Sequence, residues 1–543
     1  VIVITPYHFV AAEGTQMLAA LWQSEGHSVK VVDVQDIYDE FNSGIVSAEA
    51  IRDFLEHAYH YWGSPRLSYA ILLGEGIDDT RDNSPSRKYN LIPVKKTWTY
   101  KHGATASDNW YACLIGEDSV PDISLARINV WTEEQITNYA MKAQSYRDNL
   151  HTNRQWNNHL TLTAGGKIDD GNDIFAQQSE RIRQKSIPEH YRVSRVYTST
   201  QTVSSDYFGG TFDLKDAINS GTQFVQFMGH GGGRVWADYN LFNFNDVATL
   251  NNQALPVFLS LACYASAFDT NGAASISEAL IAQPDKGAIV SLGFTGLGYK
   301  IQDEDWGLAF NEAVFKMDFD TLGEAYMFAL ARFYTTTSSA AARSALTHGS
   351  AYLGDPLIRL NKPIVHSNVS AENHDPEQGE TLSVHAQFPA DVSRARLFVM
   401  NEKEIVQNVP YDIDLNGGEF LANYVIPSGL SNYTNKVMVT GYSPTKQYVG
   451  TDFYSVGRPA VQHEGFIPAQ PVYTDSTVFL ARVFNPEKIM SLRVSVRTDS
   501  SYQAETETWI VVWEDYLMSP SADDNTLWQS DSKLRRFPTK REL

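Results

Sequence analysis

Two residues in this sequence carry nucleophile and base chemistry at matched places. His230 stands in Gly229-His230-Gly231-Gly232-Gly233, directly after the apolar run 224–228. Cys263 follows the apolar run 256–261 and Ala262. Each sits just past the carboxyl end of a predicted strand, the edge of an open parallel sheet where ligands bind. A thiolate is the reactive form of cysteine, and an adjacent imidazole can take the thiol proton and later protonate a leaving amine. Glycines around the histidine let a substrate backbone come close. The backbone N–H groups of Gly231 and Cys263 are candidates for an oxyanion hole, a contribution of roughly 2.7–4 kcal/mol per donor. A plainer reading stands beside this one. A cysteine after an apolar strand is often a small buried hydrophobe, and a histidine among glycines can be a turn residue. Composition and spacing alone leave both open.

The elements that must position the pair follow from periodicity. Residues 1–4, 27–34 and 69–73 read as strands, with helical patterns through Met17, Leu18, Leu21 and Trp22 and over 51–61. That β-α-β-α-β order implies a parallel sheet with helices on its faces. Residues 77–110 are polar and turn-rich. Residues 122–128 form a strand and 132–149 a helix, with Thr132 as N-cap and Glu133 and Glu134 in its first turn. A second wave follows: strands at 159–164, 192–197, 224–228, 256–261 and 288–292, and helices at 173–184, 212–218 and 246–250. Beyond residue 360 the character changes to short alternating runs with Gly, Pro, Asn and Asp turns, as in a β-sandwich. Strands are expected at 381–386, 396–400, 420–425 and 436–441, a linker at 456–459, and a second β module with strands at 477–483, 492–496 and 508–513.

Bulk properties narrow the function classes. The chain has 543 residues and a formal net charge of −21, which repels phosphate backbones and argues against nucleic acid as a partner. Only two cysteines are present, Cys113 and Cys263, which excludes a disulfide-stapled scaffold. Cys113 lies in an apolar stretch and reads as an inert core thiol. His230 and Cys263 lack the neighbouring Cys or His ligands that a four-coordinate zinc site needs. Gly74-Glu75-Gly76 and Gly165-Gly166 lack the Lys-Ser/Thr of a phosphate loop. No apolar run reaches the roughly 18–20 residues that span a bilayer. The chain begins at Val1 with no initiator Met and no signal-peptide pattern, so a piece processed from a longer precursor is expected.

Gly229-His230-Gly231 with Trp236-Ala237-Asp238, and Ala262-Cys263 through Phe268-Asp269, closely resemble the catalytic block of the gingipain family of cysteine peptidases, in the caspase-like group. Asp39-Glu40-Phe41 with residues 50–54, residues 106–111 with 121–127, and residues 353–360 resemble further blocks of that family, so the resemblance covers about residues 1–360. It implies Cys263 as nucleophile and His230 as general base. It puts Asp122 where some members carry a Glu that orients the histidine; the alternative for Asp122 is a turn carboxylate at a strand start. Arginine-specific members of that family place an acidic specificity residue near the start of the helix after strand 122–128, where Glu133 and Glu134 lie; their alternative is pairing with the helix dipole, and specificity stays open. Trp236 and Trp306 are candidate walls of a specificity pocket or, equally, core aromatics. Family members bind structural calcium, and Asp78, Asp108 and Asp118, with Asp79 and Asp82 nearby, offer oxygen ligands of the kind Ca²⁺ takes; the alternative is solvated loop carboxylates.

The expected fold class is therefore α/β, a caspase-like parallel-sheet catalytic region of two subdomains, followed by all-β immunoglobulin-like domains. The expected boundaries are 1–150 and 151–361 for the two subdomains, 362–456 for the first β-sandwich, and 457–543 for a second, incomplete β module. The expected activity is hydrolysis of protein or peptide substrate through a thioacyl-enzyme, with no cofactor for the chemistry and structural calcium at most. The resemblance further implies an inhibitory propeptide and a secreted or cell-surface bacterial protein. Two competing readings keep the scaffold: a sortase-like transpeptidase acting on C-terminal signals, and an inactive adhesion module. Intact Cys263 and His230 argue against the second.

Overall fold

In the computed structural model, the structure describes every residue except 80–89, 150–154, 167–172, 200–203, 238–239, 271–272, 367, 429–433, 457–460, 468–477, 484–490, 504–507, 523–526 and 531–543. Asp82, Asp238 and the expected linker beyond Val456 lie outside the described residues. The chain divides into two compact units, Val1–Lys362 and Pro363–Leu543.

The first unit is built on fourteen short strands: β1 (Ile2–Thr5), β2 (Lys30–Asp33), β3 (Tyr69–Leu73), β4 (Lys96–Thr99), β5 (Gly103–Ala106), β6 (Ser124–Ile128), β7 (His159–Gly165), β8 (Arg192–Tyr197), β9 (Phe224–Gly229), β10 (Val235–Trp236), β11 (Phe242–Asn243), β12 (Val257–Leu261), β13 (Val290–Phe294) and β14 (Ser350–Gly354). Ten of them form one continuous sheet in the order β2-β1-β3-β6-β14-β13-β12-β9-β7-β8. The two expected halves thus share a single sheet, joined where β14 lies between β6 and β13. β3, β6, β9, β12, β13 and β14 are buried at every position. That is what near-continuous Val/Ile/Leu/Phe runs predict for central strands covered on both faces.

Direction matters more than order here. β9, β12 and β13 run parallel, with Leu261 opposite Met228 and Leu259 opposite Leu292. β14 runs antiparallel to β13 and parallel to β6, and β6 is parallel to β3. The N-terminal half of the sheet therefore runs opposite to β9 and β12. Strand ends that carry the same kind of motif in the two halves face opposite edges.

The polar stretch at 77–110 holds the β4–β5 hairpin, which periodicity did not reveal. Its alternating Thr and Trp residues were masked by the turn-forming residues around them. The helix at Glu133–Asp148 and β3 agree with their expected positions, while β2 is shorter than its apolar run and β13 is shifted toward Phe294.

The second unit is all-β among its described residues. A five-stranded and a three-stranded sheet share one core that includes Leu382, Val384, Leu397, Val399, Val437 and Val439. Thr381–Gln387 buries alternate residues, the period of a strand with one inner face. A further five-stranded antiparallel sheet is formed by strands from Val461 to Ser530.

Candidate active site

His230 and Cys263 come together through strand pairing. β9 and β12 are adjacent and parallel, and both residues follow at the same sheet edge. The backbones beyond the strands nearly touch. A Cβ on Gly231 would lie 2.8 Å from Cys263 O and 2.9 Å from Ala262 Cβ, so only glycine lets the two loops approach this closely. His230 is held on both sides of its backbone: its N–H donates to Gly165 O at 3.2 Å, and its carbonyl accepts from Ala237 N–H at 2.8 Å. The edge of its ring system packs against Phe175, with centroids 5.0 Å apart and planes at 78°.

The loop after His230 folds back as the β10–β11 hairpin, and Gly231 bridges Trp236. The bonds that frame this bridge are Gly232 N–H to Val235 O and Ala237 N–H to His230 O. Gly231 is thus in a non-hydrogen-bonded pair, and its own N–H is turned away from the hairpin. That leaves the N–H of Gly231 outside the hairpin's own pairing, at the place where the two loops meet.

Cys263 is partly exposed, in contrast to buried Cys113. Its Sγ accepts the N–H of Gly298 at 3.2 Å. Burial pushes its thiol upward, the Gly298 bond pulls it down, and the Asp303 carboxylate pushes it up again, with a net rise. The resting group is a thiol, so a base is required for attack at neutral pH. The next residue, Tyr264, has φ 59°, a left-handed conformation rare for a bulky side chain. Its N–H donates to Gly296 O at 2.8 Å, and its hydroxyl bonds His102 Nδ1 at 2.9 Å. The β4–β5 turn therefore roofs the residue beside the thiol. Strain of this kind collects at functional sites when surrounding contacts enforce it.

The remaining sequence candidates fall elsewhere. Asp122 Oδ2 accepts the N–H groups of Leu114 and Ile115 at 2.7 and 2.8 Å, which makes it a loop cap. It shares the sheet edge with His230, but β6 stands four strands from β9, roughly 19 Å at ordinary strand spacing. It does not orient His230. Glu133 and Glu134 are exposed at the start of a helix that follows β6 at the opposite edge, away from Cys263. The antiparallel sense of β6 against β12 is the reason. Trp236 is fully buried and stacked on Phe227 at 4.7 Å; Trp306 is buried against Phe310 and Phe294. Both are core, not pocket walls.

The three expected calcium ligands do not converge. Asp108 is locked in a two-pronged pair with Arg127, both bonds 2.7 Å. Asp78 pairs with Lys96 at 3.1 Å, and Asp118 caps Val120 N–H at 2.9 Å. Among the described residues no cluster of three His, Cys, Asp or Glu side chains is placed to hold a metal. Cys113 is a core thiol, pushed up to about 12 by burial. Sequence reasoning missed Gly298, Tyr264, His102 and Asp303. Gly296-Leu297-Gly298 after β13 repeats the glycine-at-strand-end signal that singled out His230, and was readable on that ground.

Among curated proteins, none matches this sequence. Among solved structures, the Arg-specific cysteine proteinase gingipain R (RgpB) is similar with a TM-score of 0.53 and 16% identity, over 84% of this chain and 97% of that one. The complex of Porphyromonas gingivalis RgpB pro- and mature domains is similar with a TM-score of 0.51 and 17% identity, over 84% and 99%. These likenesses concern the fold. The sequence itself matches peptidase family C25 over residues 1–361, the whole of the unit that carries His230 and Cys263. The chain belongs to that family, the gingipain-type cysteine peptidases.

Proposed function

We propose that the chain cleaves peptide bonds with Cys263 as nucleophile and His230 as general base, through a thioacyl-enzyme. The single observation that carries this reading is the convergence of the two residues at one edge of two adjacent parallel strands. His230 takes the Sγ proton, and the thiolate attacks the scissile carbonyl carbon. The N–H groups of Gly231 and Cys263 receive the developing oxyanion. Collapse breaks the C–N bond, and the His230 proton goes to the leaving amine. Water, deprotonated by His230, then attacks the thioester and releases the acid and the thiol. The Gly298 N–H supports Sγ whenever it carries charge. Side chains and backbone supply every group this sequence of steps uses.

The family is in keeping with a secreted or surface peptidase of bacterial type. An inhibitory propeptide is the natural partner to look for, since RgpB is known in complex with its pro-domain. The test is an unbiased peptide library, with and without an added amine. Hydrolysis is expected, and Cys263→Ala and His230→Ala should each lower kcat/KM by on the order of 10⁴ or more. Amine-capped products in place of acids would make it a transpeptidase. Cleavage unchanged in Cys263→Ala would sink the nucleophile assignment.

A further inference from the structure

Asp303 lies in the first turn of the helix Lys300–Lys316 and is only 5% exposed. An acid at that helix position ordinarily serves the dipole from the surface. This one is turned inward, toward the thiol. Its Oδ1 accepts the N–H of Tyr299 at 2.8 Å, and its own N–H donates to Tyr299 O at 2.8 Å, which closes the turn in both directions. Its Oδ2 lies against Gly298, where a Cβ would come within 2.5 Å of it. Gly298 in turn donates its N–H to Cys263 Sγ. The contacts form a continuous chain from Asp303 through Tyr299 and Gly298 to the sulfur.

We propose that Asp303 is a positioning residue for the thiol: it fixes the Gly298–Tyr299 turn so that the Gly298 N–H stays on Cys263 Sγ. The inference rests on Cys263 being the nucleophile. Charge alone would make Asp303 counterproductive, because a carboxylate near a thiolate opposes its formation, and Asp303 does push the Cys263 thiol up. Burial also pushes the Asp303 carboxyl up to about 7, so the fold holds an acid where water does little to support its charge. The other charged groups nearby are engaged elsewhere. Glu304 pairs with Arg181 at 2.6 Å, and Lys101 and Lys300 sit over the rings of Tyr299 and Phe175.

Positioning and charge predict opposite signs, which makes the test decisive. The rate of Cys263 alkylation by iodoacetamide is followed against pH in the full chain, read by peptide mass so that Cys113 is scored separately. Asp303→Ala removes both the charge and the acceptor for Tyr299. If positioning dominates, alkylation at pH 7 falls about tenfold and the midpoint rises, the worth of one hydrogen bond to a charged acceptor. Asp303→Asn keeps an acceptor of the same shape and is expected not to slow alkylation. Faster or equal alkylation in Asp303→Ala overturns the proposal. Should that variant not fold, Gly298→Ala decides: its Cβ drives the turn off Asp303 with the acid in place, and an unchanged alkylation profile overturns the proposal. Peptide hydrolysis, measured in parallel, separates the two questions. Cleavage that survives Cys263→Ala defeats the functional reading, whereas the alkylation profile alone decides the role of Asp303.

Discussion

The N-terminal and C-terminal halves of the large sheet are made alike and finished differently. In both, short buried strands end in glycine-bearing loops: Gly74-Glu75-Gly76 after β3, and Gly229 to Gly233 after β9. In the N-terminal half the loop is spent on the fold. Gly74 N–H and Glu75 N–H donate to Ile128 O and Val130 O, and the Gly74 carbonyl accepts from Arg127. In the C-terminal half the Gly231 N–H faces away from its hairpin, and the Gly298 N–H goes to a sulfur rather than a carbonyl. Gly231 and Gly298 are both partly exposed, so a substrate can reach the loops that carry them. The contrast teaches that strand-end glycine marks a site only when its hydrogen bonds are not already committed.

The largest effect that would break this contrast lies at Arg127. Its guanidinium is fully buried, pairs with Asp108, donates to Gly74 O at 3.0 Å, and lies 4.8 Å over the ring of Phe268, five residues past Cys263. Arg127→Ala leaves Asp108 buried without its counter-ion. Unfolding free energy should fall by roughly 3–5 kcal/mol, as for other broken buried pairs. Arg127→Met together with Asp108→Leu should recover most of that loss, because an apolar pair of similar bulk needs no counter-charge. Denaturant melts of the three variants measure both. A single variant as stable as wild type would mean that the N-terminal edge is not sealed by this pair.

The next effect belongs to the open edge. Gly231→Ala places a methyl group 2.8 Å from Cys263 O. The two loops must part, and the N–H groups of Gly231 and Cys263 no longer point at one oxygen. Loss of a single oxyanion donor lowers kcat by about 10²–10³, so a fall of that order is expected with KM little changed. Hydrolysis kinetics on any substrate found in the library are sufficient. A drop confined to KM would assign Gly231 to substrate binding instead of transition-state support.

These two sites also show what the sequence could and could not reveal. The runs before His230 and Cys263 are apolar at all but one position each, Gln226 and Ser260, so their strands, and the placement of both residues at strand ends, were legible. Their adjacency needed only the usual pairing of parallel strands. For Asp122 and Glu133 the plainer of the two readings fits the structure, for two tertiary reasons: β6 stands four strands from β9, and β14 reverses the direction of the N-terminal half, and no local pattern announces either. Trp236 and Trp306 were ambiguous because an aromatic residue near a site has the same sequence whether it lines a pocket or a core. Asp303 was invisible because, in one dimension, it is an ordinary first-turn acid.

The smallest expected effect sharpens the contrast from the side of stability. The Asp303 carboxyl is raised to about 7 by burial, above its unfolded value. Between the unfolded and folded values the native state holds the proton more tightly than the unfolded chain. Stability attributable to Asp303 is therefore full in acid and is lost as pH rises through that window toward 7. Asp303→Asn should flatten the decline in Tm from about pH 4 to about pH 7. The same scan on the Arg127 and Asp108 double variant should leave that slope in place, since the acid responsible sits at the other edge. If Asp303→Asn leaves the slope unchanged, the carboxyl ionises in the folded state as it does in the unfolded chain and is charged at neutral pH. The Gly298–Tyr299 turn would then be holding an ionised group beside the thiol, and the open edge would have to stabilise two negative charges when Cys263 reacts.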